Sequence, residues 1–366
     1  MSRSRMLSAL LLYPVSRVYA FVMWVRNRMF DHGILKQEEF DVPVISVGNI
    51  AVGGTGKTPH VEYLANRLME THHLAVLSRG YKRSTRGFVL ASPQSRPEDI
   101  GDESYQIYRK FGPNVTVAVC ANRREGIRRL LEIDPKIDMI LLDDAFQHRY
   151  VKPSASIVLT EYSRPLYTDD ILPYGRLREP KSSLNRADIV VVTKCISDMT
   201  PMQYRIFEEN LRLFPFQKLY FSTYDYGQLV PVFPDAVENI PAIEDLAPDS
   251  KMLALSGVAN PRPFVKHLRQ RNRKVKVKLR RFADHHNFTA RDMEHIEREF
   301  KGMPEGARII ITTEKDAMRL FNNPYFPHEL KPHIFYLPIK VRFIDRGEPE
   351  FASVVEKTVR EARLFK

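Results

Sequence analysis

Three features of the sequence predict an α/β fold. Short, continuous apolar runs alternate with stretches at helical spacing, the pattern of strands buried on both faces of a parallel sheet. A glycine-rich loop ending in Gly-Lys-Thr follows the first run, and a later run closes on two aspartates. Together they predict a P-loop NTPase-type parallel-sheet domain. Further runs beyond a proline-rich stretch add a smaller second α/β domain, and the N-terminus adds a membrane-associated helix.

The chain has 366 residues, enough for roughly two domains at about 150 residues each. Its hydrophobic fraction of 43% and charged fraction of 27% argue against disorder, collagen and a multi-span membrane protein. Its two cysteines, Cys120 and Cys195, have no C-x-x-C spacing, which argues against a disulfide framework or a zinc finger and fits a reducing compartment. The formal charge of +12 favours an anionic partner, whether nucleic acid, acidic phospholipid or a phosphorylated substrate. No helix-turn-helix, RNP or zinc pattern accompanies that charge, so nucleic acid is not expected.

Residues 6–24 are mostly apolar, broken by Ser8, Pro14, Ser16 and Arg17. Val15, Val18, Val22, Val25 and Met29 recur at helical spacing, and Arg17 and Arg28 share another face. Arg17 near the middle disfavours a spanning helix, and no small-x-small cleavage site follows. Residues 1–36 are therefore expected to form an amphipathic helix lying in a membrane surface with arginines at the lipid phosphates. Packing of that helix on its own domain or on a partner subunit is the alternative.

Strands are expected at 42–47, 74–78, 115–120, 139–142, 157–160 and 189–193, giving a first domain over 37–225. The second domain, 226–366, holds strands at 252–256, 274–282, 308–312 and 334–338 and a closing helix over 351–364 that packs on either domain. The boundary falls near 222–250. Residues 271–281 carry seven basic side chains and no acid, a strand with one cationic face. This is either a solvated edge that blocks aggregation or a contact with lipid phosphate.

The strongest motif is Ala51-Val52-Gly53-Gly54-Thr55-Gly56-Lys57-Thr58, the Walker pattern with Ala51 in place of its first glycine. A buried-type strand precedes it and a helix follows, with Pro59 tolerated in the first turn. Backbone amides of such a loop bind phosphate oxygens. Lys57 is expected to reach the β- and γ-phosphates and Thr58 to hold Mg²⁺. Asp143 and Asp144, closing the apolar run 139–142, supply the metal-organising carboxylates. Thr193-Lys194-Cys195-Ile196 has isoleucine where a guanine-specific T-K-x-D has aspartate, which favours ATP. Gly101-Asp102-Glu103 could face the γ-phosphate, and Asp284-His285-His286 sets an acid beside two histidines. Either could supply the carboxylate or imidazole that accepts a substrate hydroxyl's proton. A helix N-cap at Asp102, and a surface turn or metal site at the histidines, stay open on spacing alone.

Beyond these motifs, several runs keep a common order from about residue 42 to 320. They are Val47-Gly48-Asn49-Ile50, Leu77-Ser78-Arg79-Gly80-Tyr81, Gln147-His148, Leu172-Pro173 with Gly175, Leu177-Arg178-Glu179-Pro180, Ser256-Gly257 with Asn260-Pro261, Phe282 with Asp284-His285, and Thr312-Thr313-Glu314-Lys315-Asp316-Ala317. With the loop they make the chain resemble the tetraacyldisaccharide 4'-kinase family, the lipid A 4'-kinases of Gram-negative envelope biosynthesis. The resemblance implies transfer of the γ-phosphoryl of ATP to the 4'-hydroxyl of tetraacyldisaccharide 1-phosphate, giving lipid IVA, at the cytoplasmic face of the inner membrane. It implies a lipid disaccharide substrate, ATP with Mg²⁺, Asp102 as catalytic base and His285 as the partner that orients it. Asp143 and Asp144 match the metal-organising pair, Glu103 assists with Mg²⁺, and Arg79, Arg176 and Arg178 are candidates for phosphate or sugar-lipid contacts. Ser104 departs from the family's usual proline, Ala145-Phe146 from Gly-Leu, and Tyr174 and Arg176 interrupt a proline-glycine stretch. None of these removes a group the chemistry needs. A P-loop ATPase that drives a partner protein is the alternative, and the absence of any C-x-x-C or histidine tract counts against its metallochaperone form. Oligomeric state and acyl-chain preference are not encoded in these motifs.

Overall fold

Runs of Val, Ile and Leu too short for helices become strands because their branched side chains pack well on a pleated surface covered on both faces. The computed structural model describes residues 3–284, 286–304, 308–347 and 349–364. In chain order its elements are α1 (Arg3–Asp31), β1 (Val44–Asn49), α2 (Lys57–Leu68), β2 (Leu74–Ser78), β3 (Val89–Leu90), α3 (Pro97–Ile100), α4 (Asp102–Phe111), β4 (Thr116–Val119), α5 (Arg123–Ile133), β5 (Met139–Asp143), β6 (Ala155–Glu161), β7 (Ile189–Thr193), α6 (Pro201–Leu211), β8 (Lys218–Tyr226), β9 (Val230–Pro231), β10 (Lys251–Ser256), α7 (Arg262–Arg271), β11 (Lys276–Arg281), α8 (Ala290–Lys301), β12 (Arg308–Thr313), α9 (Glu314–Phe321), β13 (Ile334–Leu337), β14 (Ile339–Phe343) and α10 (Phe351–Leu364). Short 3₁₀ turns lie between several of them.

The chain divides into two units, one of Met1–Pro93, Ile107–Tyr224 and Val341–Lys366, the other of Gln94–Gln106 and Asp225–Lys340. In the first, nine strands run in the order β14-β8-β7-β6-β1-β5-β2-β4-β3. The pairings from β8 through to β4 are parallel, and β3 joins antiparallel at the edge. Alternate side chains serve the two faces. Ile45, Val47, Val76, Leu141, Ile157 and Val191 pack with Val61 and Leu64 of α2, and Ala75, Ile140 and Leu142 with Ile127 and Leu130 of α5. Strand β1 lies between β5 and β6, with Val47 level with Asp143. The chain therefore leaves β1 toward one side of the sheet and later returns on the other. Parallel sheets bind ligands at the strand C-termini at such a switch point.

The second unit has the sheet order β11-β10-β12-β13-β9, parallel except for β9. Helices α8 and α9 cover one face through Met293, Ile296, Phe300 and Leu320, and α7 the other through Phe264, Val265 and Leu268.

Residues 94–106 differ from the division expected at 37–225, and for the closing helix, expected on either domain, the structure has the first. Residues 341–366 join the first unit because Phe351, Val355 and Val359 of α10 are buried in its core, with Phe351 stacked on Phe343 at 4.1 Å between ring centroids. Residues 94–106 join the second, where Asp102 and Glu103 meet cations of α9. The 1–36 segment is part of the first unit, not a separate body. Strand β11, expected over 274–282, is the edge of its sheet. Its Lys278 and Arg280 both pair with Glu299.

Helix α1 is docked by polar contacts. Ser16 Oγ accepts from the Tyr174 amide at 2.8 Å, Tyr19 donates to the Arg178 carbonyl at 3.0 Å, and Asn27 donates to Glu179 at 3.2 Å. Arg149 Nη1 donates to the Asn27 carbonyl at 3.0 Å, and its Nη2 lies 2.8 Å from Asp31. The opposite face is apolar and open, with Leu11 at 64%, Val18 at 65% and Phe21 at 63% exposure. Among the described residues no helix is long and apolar enough to cross a membrane.

Replacing Phe351 with alanine should destabilise the protein by about 3–5 kcal/mol, as for other buried aromatics. Urea unfolding measures it, and a loss below about 1 kcal/mol would show that α10 is not integral to the core.

Candidate functional site

Residues 51–56 link β1 to α2 in a tight turn. Gly56, the residue before α2, has φ +93°, a left-handed backbone favoured by glycine, and a Cβ there would collide with the Tyr224 hydroxyl. Upstream, Gly48 lets Phe146 approach: a Cβ would lie 2.6 Å from that of Phe146. Side chains take three successive carbonyls of the turn. Lys194 Nζ donates to Gly54, Thr193 Oγ1 to Thr55 at 2.7 Å, and His60 Nδ1 lies 2.7 Å from the Gly56 oxygen. Asn49 donates to Thr55 Oγ1 at 2.8 Å, and the Val52 amide donates to the Arg176 carbonyl at 2.8 Å. Tying carbonyls outward is how a loop of this kind presents its amides to an anion.

The far side of the turn is cationic and acidic by design of the sheet. Lys57 Nζ lies 3.7 Å from Asp144 Oδ2, and Arg178 Nη1 lies 3.2 Å from Asp144 Oδ1. Asp144 itself has φ +48°, an uncommon conformation for a residue with a side chain, at the end of β5. Arg123 is buried; it donates to the carbonyls of Cys120 and Asp143 at 3.1 and 3.3 Å. Burial pushes its pKa down to about 10, against the attraction of Asp143 and Asp144. Burial, then Arg123, Arg124, Arg26 and Arg79, pushes His148 down to about 4.

His60 is fully buried, and its Nε2 lies 2.9 Å from Ser222 Oγ. Burial lowers its pKa to about 4, outweighing the Gly56 carbonyl. The neutral ring therefore donates from Nδ1 to Gly56 and accepts at Nε2 from Ser222.

The second unit carries the other acids. Asp102 and Glu103 open α4, and α9 answers both: Arg319 grips Asp102 with two nitrogens, and Lys315 Nζ lies 3.2 Å from Glu103. Lys315 also approaches Asp284 at 3.9 Å. Asp316 is wholly buried, accepting from the Gly257 amide at 2.8 Å and from Thr313 Oγ1 at 2.6 Å. Burial raises its pKa against those bonds and the nearby Arg319. Burial opposes the charge of Arg319, yet its bonds to Asp102 and the attraction of Asp316 and Glu103 hold its pKa above the ordinary value.

Of the sequence-derived candidates, Ala51 to Thr58, Asp143, Asp144 and Arg178 thus lie in one unit around the turn after β1. Arg79 and Arg176 are exposed. Asp102 and Glu103 are in the other unit, and His285 lies outside the described residues. Among the described residues no group of three or more His, Cys, Asp and Glu side chains gathers as a metal site. His60, Arg123, Lys194 and Arg319 were not legible as site residues. His60, Arg123 and Lys194 act through backbone carbonyls and Arg319 through the carboxylate of Asp102, far away in the chain, and no short motif marks such contacts.

A phosphate-type loop at the switch point of a parallel sheet, backed by aspartates on the neighbouring strand, defines a P-loop nucleotide-binding α/β protein. The chain matches the Tetraacyldisaccharide-1-P 4'-kinase family over residues 8–360, and it belongs to that family. It is 47% identical over 352 residues to the tetraacyldisaccharide 4'-kinase of Phocaeicola vulgatus, covering 96% of this chain and 95% of that one. It is 48% identical over 356 residues to the enzyme of the same name from Bacteroides thetaiotaomicron, covering 96% and 93%. The backbone resembles the crystal structure of the "apo" form of LpxK from Aquifex aeolicus in complex with ATP, with a TM-score of 0.72, 29% identity, and 98% and 99% coverage.

The depressed pKa of His60 fixes a pH dependence. The unfolded chain takes up a proton near pH 6.5 and the folded one only near 4, so this group's contribution is full above about pH 6.5 and is lost as pH falls. Between pH 7.5 and 5.5 the protein should lose about 1 kcal/mol through His60. His60→Gln should lose correspondingly less stability over that interval; equal losses in thermal melts would show that His60 does not set the dependence.

Proposed function

We propose that this chain transfers the γ-phosphoryl group of ATP to the 4'-hydroxyl of tetraacyldisaccharide 1-phosphate, giving lipid IVA in lipid A biosynthesis. One observation carries the reading most directly: the braced turn after β1 sits beside Asp143 and Asp144 in a chain that belongs to this kinase family from end to end.

Phosphoryl transfer asks a protein for position and charge neutralisation more than for covalent chemistry. The amides of the run from Gly53 to Thr58, apart from that of Thr55, which donates to the Gly53 carbonyl at 3.0 Å, cradle the triphosphate, and Lys57 moves from Asp144 to the β- and γ-phosphate oxygens. Thr58, Asp143 and Asp144 offer hard oxygen donors of the kind that suits Mg²⁺ and would hold it beside the phosphates. When bound, Mg²⁺ neutralises charge on the β- and γ-phosphates. Arg178, held against Asp144, and the exposed Arg79 and Arg176 contact phosphate or the sugar lipid in this reading. Asp102 accepts the proton of the sugar hydroxyl, with His285 orienting it and Glu103 assisting the metal.

The acceptor is a lipid, and the open face of α1 supplies a route to it. Leu11, Val15, Val18, Phe21 and Val22 project from a helix whose other side is pinned by polar bonds. An exposed apolar surface of this kind marks a membrane or protein contact. Arg17 and Arg28 flank it at the level of lipid phosphates. The protein thereby works at the cytoplasmic face of the inner membrane.

Lys57→Met should lower kcat by about 10²–10³ with an unchanged circular dichroism spectrum, measured as transfer of radiolabelled phosphate from ATP to the disaccharide 1-phosphate. Turnover near wild type would remove Lys57 from the site. Val18→Glu with Val22→Glu should leave the melting temperature unchanged, both positions being exposed, but reduce partition into phospholipid vesicles. Undiminished partition would assign the face to another partner.

A further inference from the structure

The α9 face that meets Asp102 is built in layers. Asp316 lies at its base with no exposed surface, fixed by the Gly257 amide and by Thr313 Oγ1. Arg319 follows three residues later, on the same side of the helix. Its side chain is only 8% exposed, with Nη1 4.0 Å from Asp316 Oδ1 and 3.5 Å from the His286 carbonyl. Its Nε and Nη2 face forward onto the two oxygens of Asp102, the former at 3.1 Å. The guanidinium thus stands between two carboxylates, one wholly buried and the other only 16% exposed. One turn earlier on the helix, Lys315 meets Glu103 with both side chains more open.

We propose that Arg319 is a positioning residue for Asp102: braced from behind by Asp316, it fixes the plane and rotamer of the carboxylate that receives the sugar hydroxyl's proton. The proposal rests on reading Asp102 as that acceptor. A bidentate guanidinium takes one lone-pair site on each carboxylate oxygen and so fixes the plane of the carboxylate. A flanking cation makes the carboxylate a weaker base. In a loose transition state geometry counts for more than base strength, because catalysis is largely positioning. A buried ion pair is also weak evidence for stability alone. Lysine would keep the charge but not the planar fork.

The test uses the full-length protein with ATP and tetraacyldisaccharide 1-phosphate in mixed micelles. Arg319→Met should lower kcat by roughly 10²-fold, the order expected for misplacing a reacting group by about 1 Å, with the KM for ATP within about twofold of wild type. Arg319→Lys should recover part of that loss, and Asp316→Asn should give an intermediate loss at unchanged KM. Because Arg319 acts through Asp102, the double variant Asp102→Asn with Arg319→Met should turn over no more slowly than Asp102→Asn alone. Should Arg319→Met fold poorly, Arg319→Lys carries the comparison, a kcat loss at an unchanged melting temperature supporting the proposal. A lowered melting temperature with wild-type kcat would make Arg319 a structural brace and overturn it. Additive losses in the double variant would overturn it equally. Retention of turnover by Asp102→Asn would instead remove the reading of Asp102 itself, and this proposal with it.

Discussion

The rest of the first unit serves one backbone constraint, the conformation of the turn between β1 and α2. Glycine at 56 lets the chain turn beneath the Tyr224 hydroxyl, where any Cβ would collide. The carbonyls of Gly54, Thr55 and Gly56 are then each drawn to a different element: Lys194 and Thr193 at the end of β7, and His60 in the first turn of α2. A flexible glycine loop loses much entropy when ordered. Distributing its acceptors among rigid neighbours fixes that order before any ligand arrives.

Both units handle their acids in the same manner. Asp144 is shared between Lys57 and Arg178, and Asp102 is held by Arg319. Each carboxylate is oriented by a cation that itself sits on a regular element: Lys57 opens α2, and Arg319 lies within α9. The consequence for chemistry differs. Lys57 meets Asp144 through a flexible stem, whereas Arg319, 8% exposed and with Asp316 4.0 Å behind it, holds Asp102 through a planar fork.

Helix α1 reverses the usual amphipathic order. Its Ser16, Asn27 and Phe30 are buried while Leu11, Val15, Val18 and Phe21 face outward. Polar bonds from Ser16, Tyr19 and Asn27 give the docking direction, and Phe30 against Tyr150 adds an apolar contact near the C-terminal end of the helix. The apolar stripe stays exposed. Tyr19 bonds the carbonyl of Arg178, so the helix is tied directly to the segment that also orients Asp144.

What the sequence determined by itself was local in origin. Continuous apolar runs specified a parallel sheet, and the spacing of glycines before Lys57 and Thr58 specified a tight turn into a helix, because strand burial and glycine geometry depend on near neighbours in the chain. The valine stripe of α1 was legible as an apolar face by its period, but not that polar residues would dock its other side. Other features arose only in three dimensions. Residues 94–106 and 341–366 left their sequence neighbours because Asp102 and Glu103 found cations on α9 and because Phe351 found Phe343 and Tyr220. The roles of His60, Lys194 and Arg319 were likewise invisible, since each depends on a carbonyl or carboxylate that folding alone brings within reach. A side chain's chemistry is written in the sequence, whereas its partner, which sets its charge and direction, is chosen by packing.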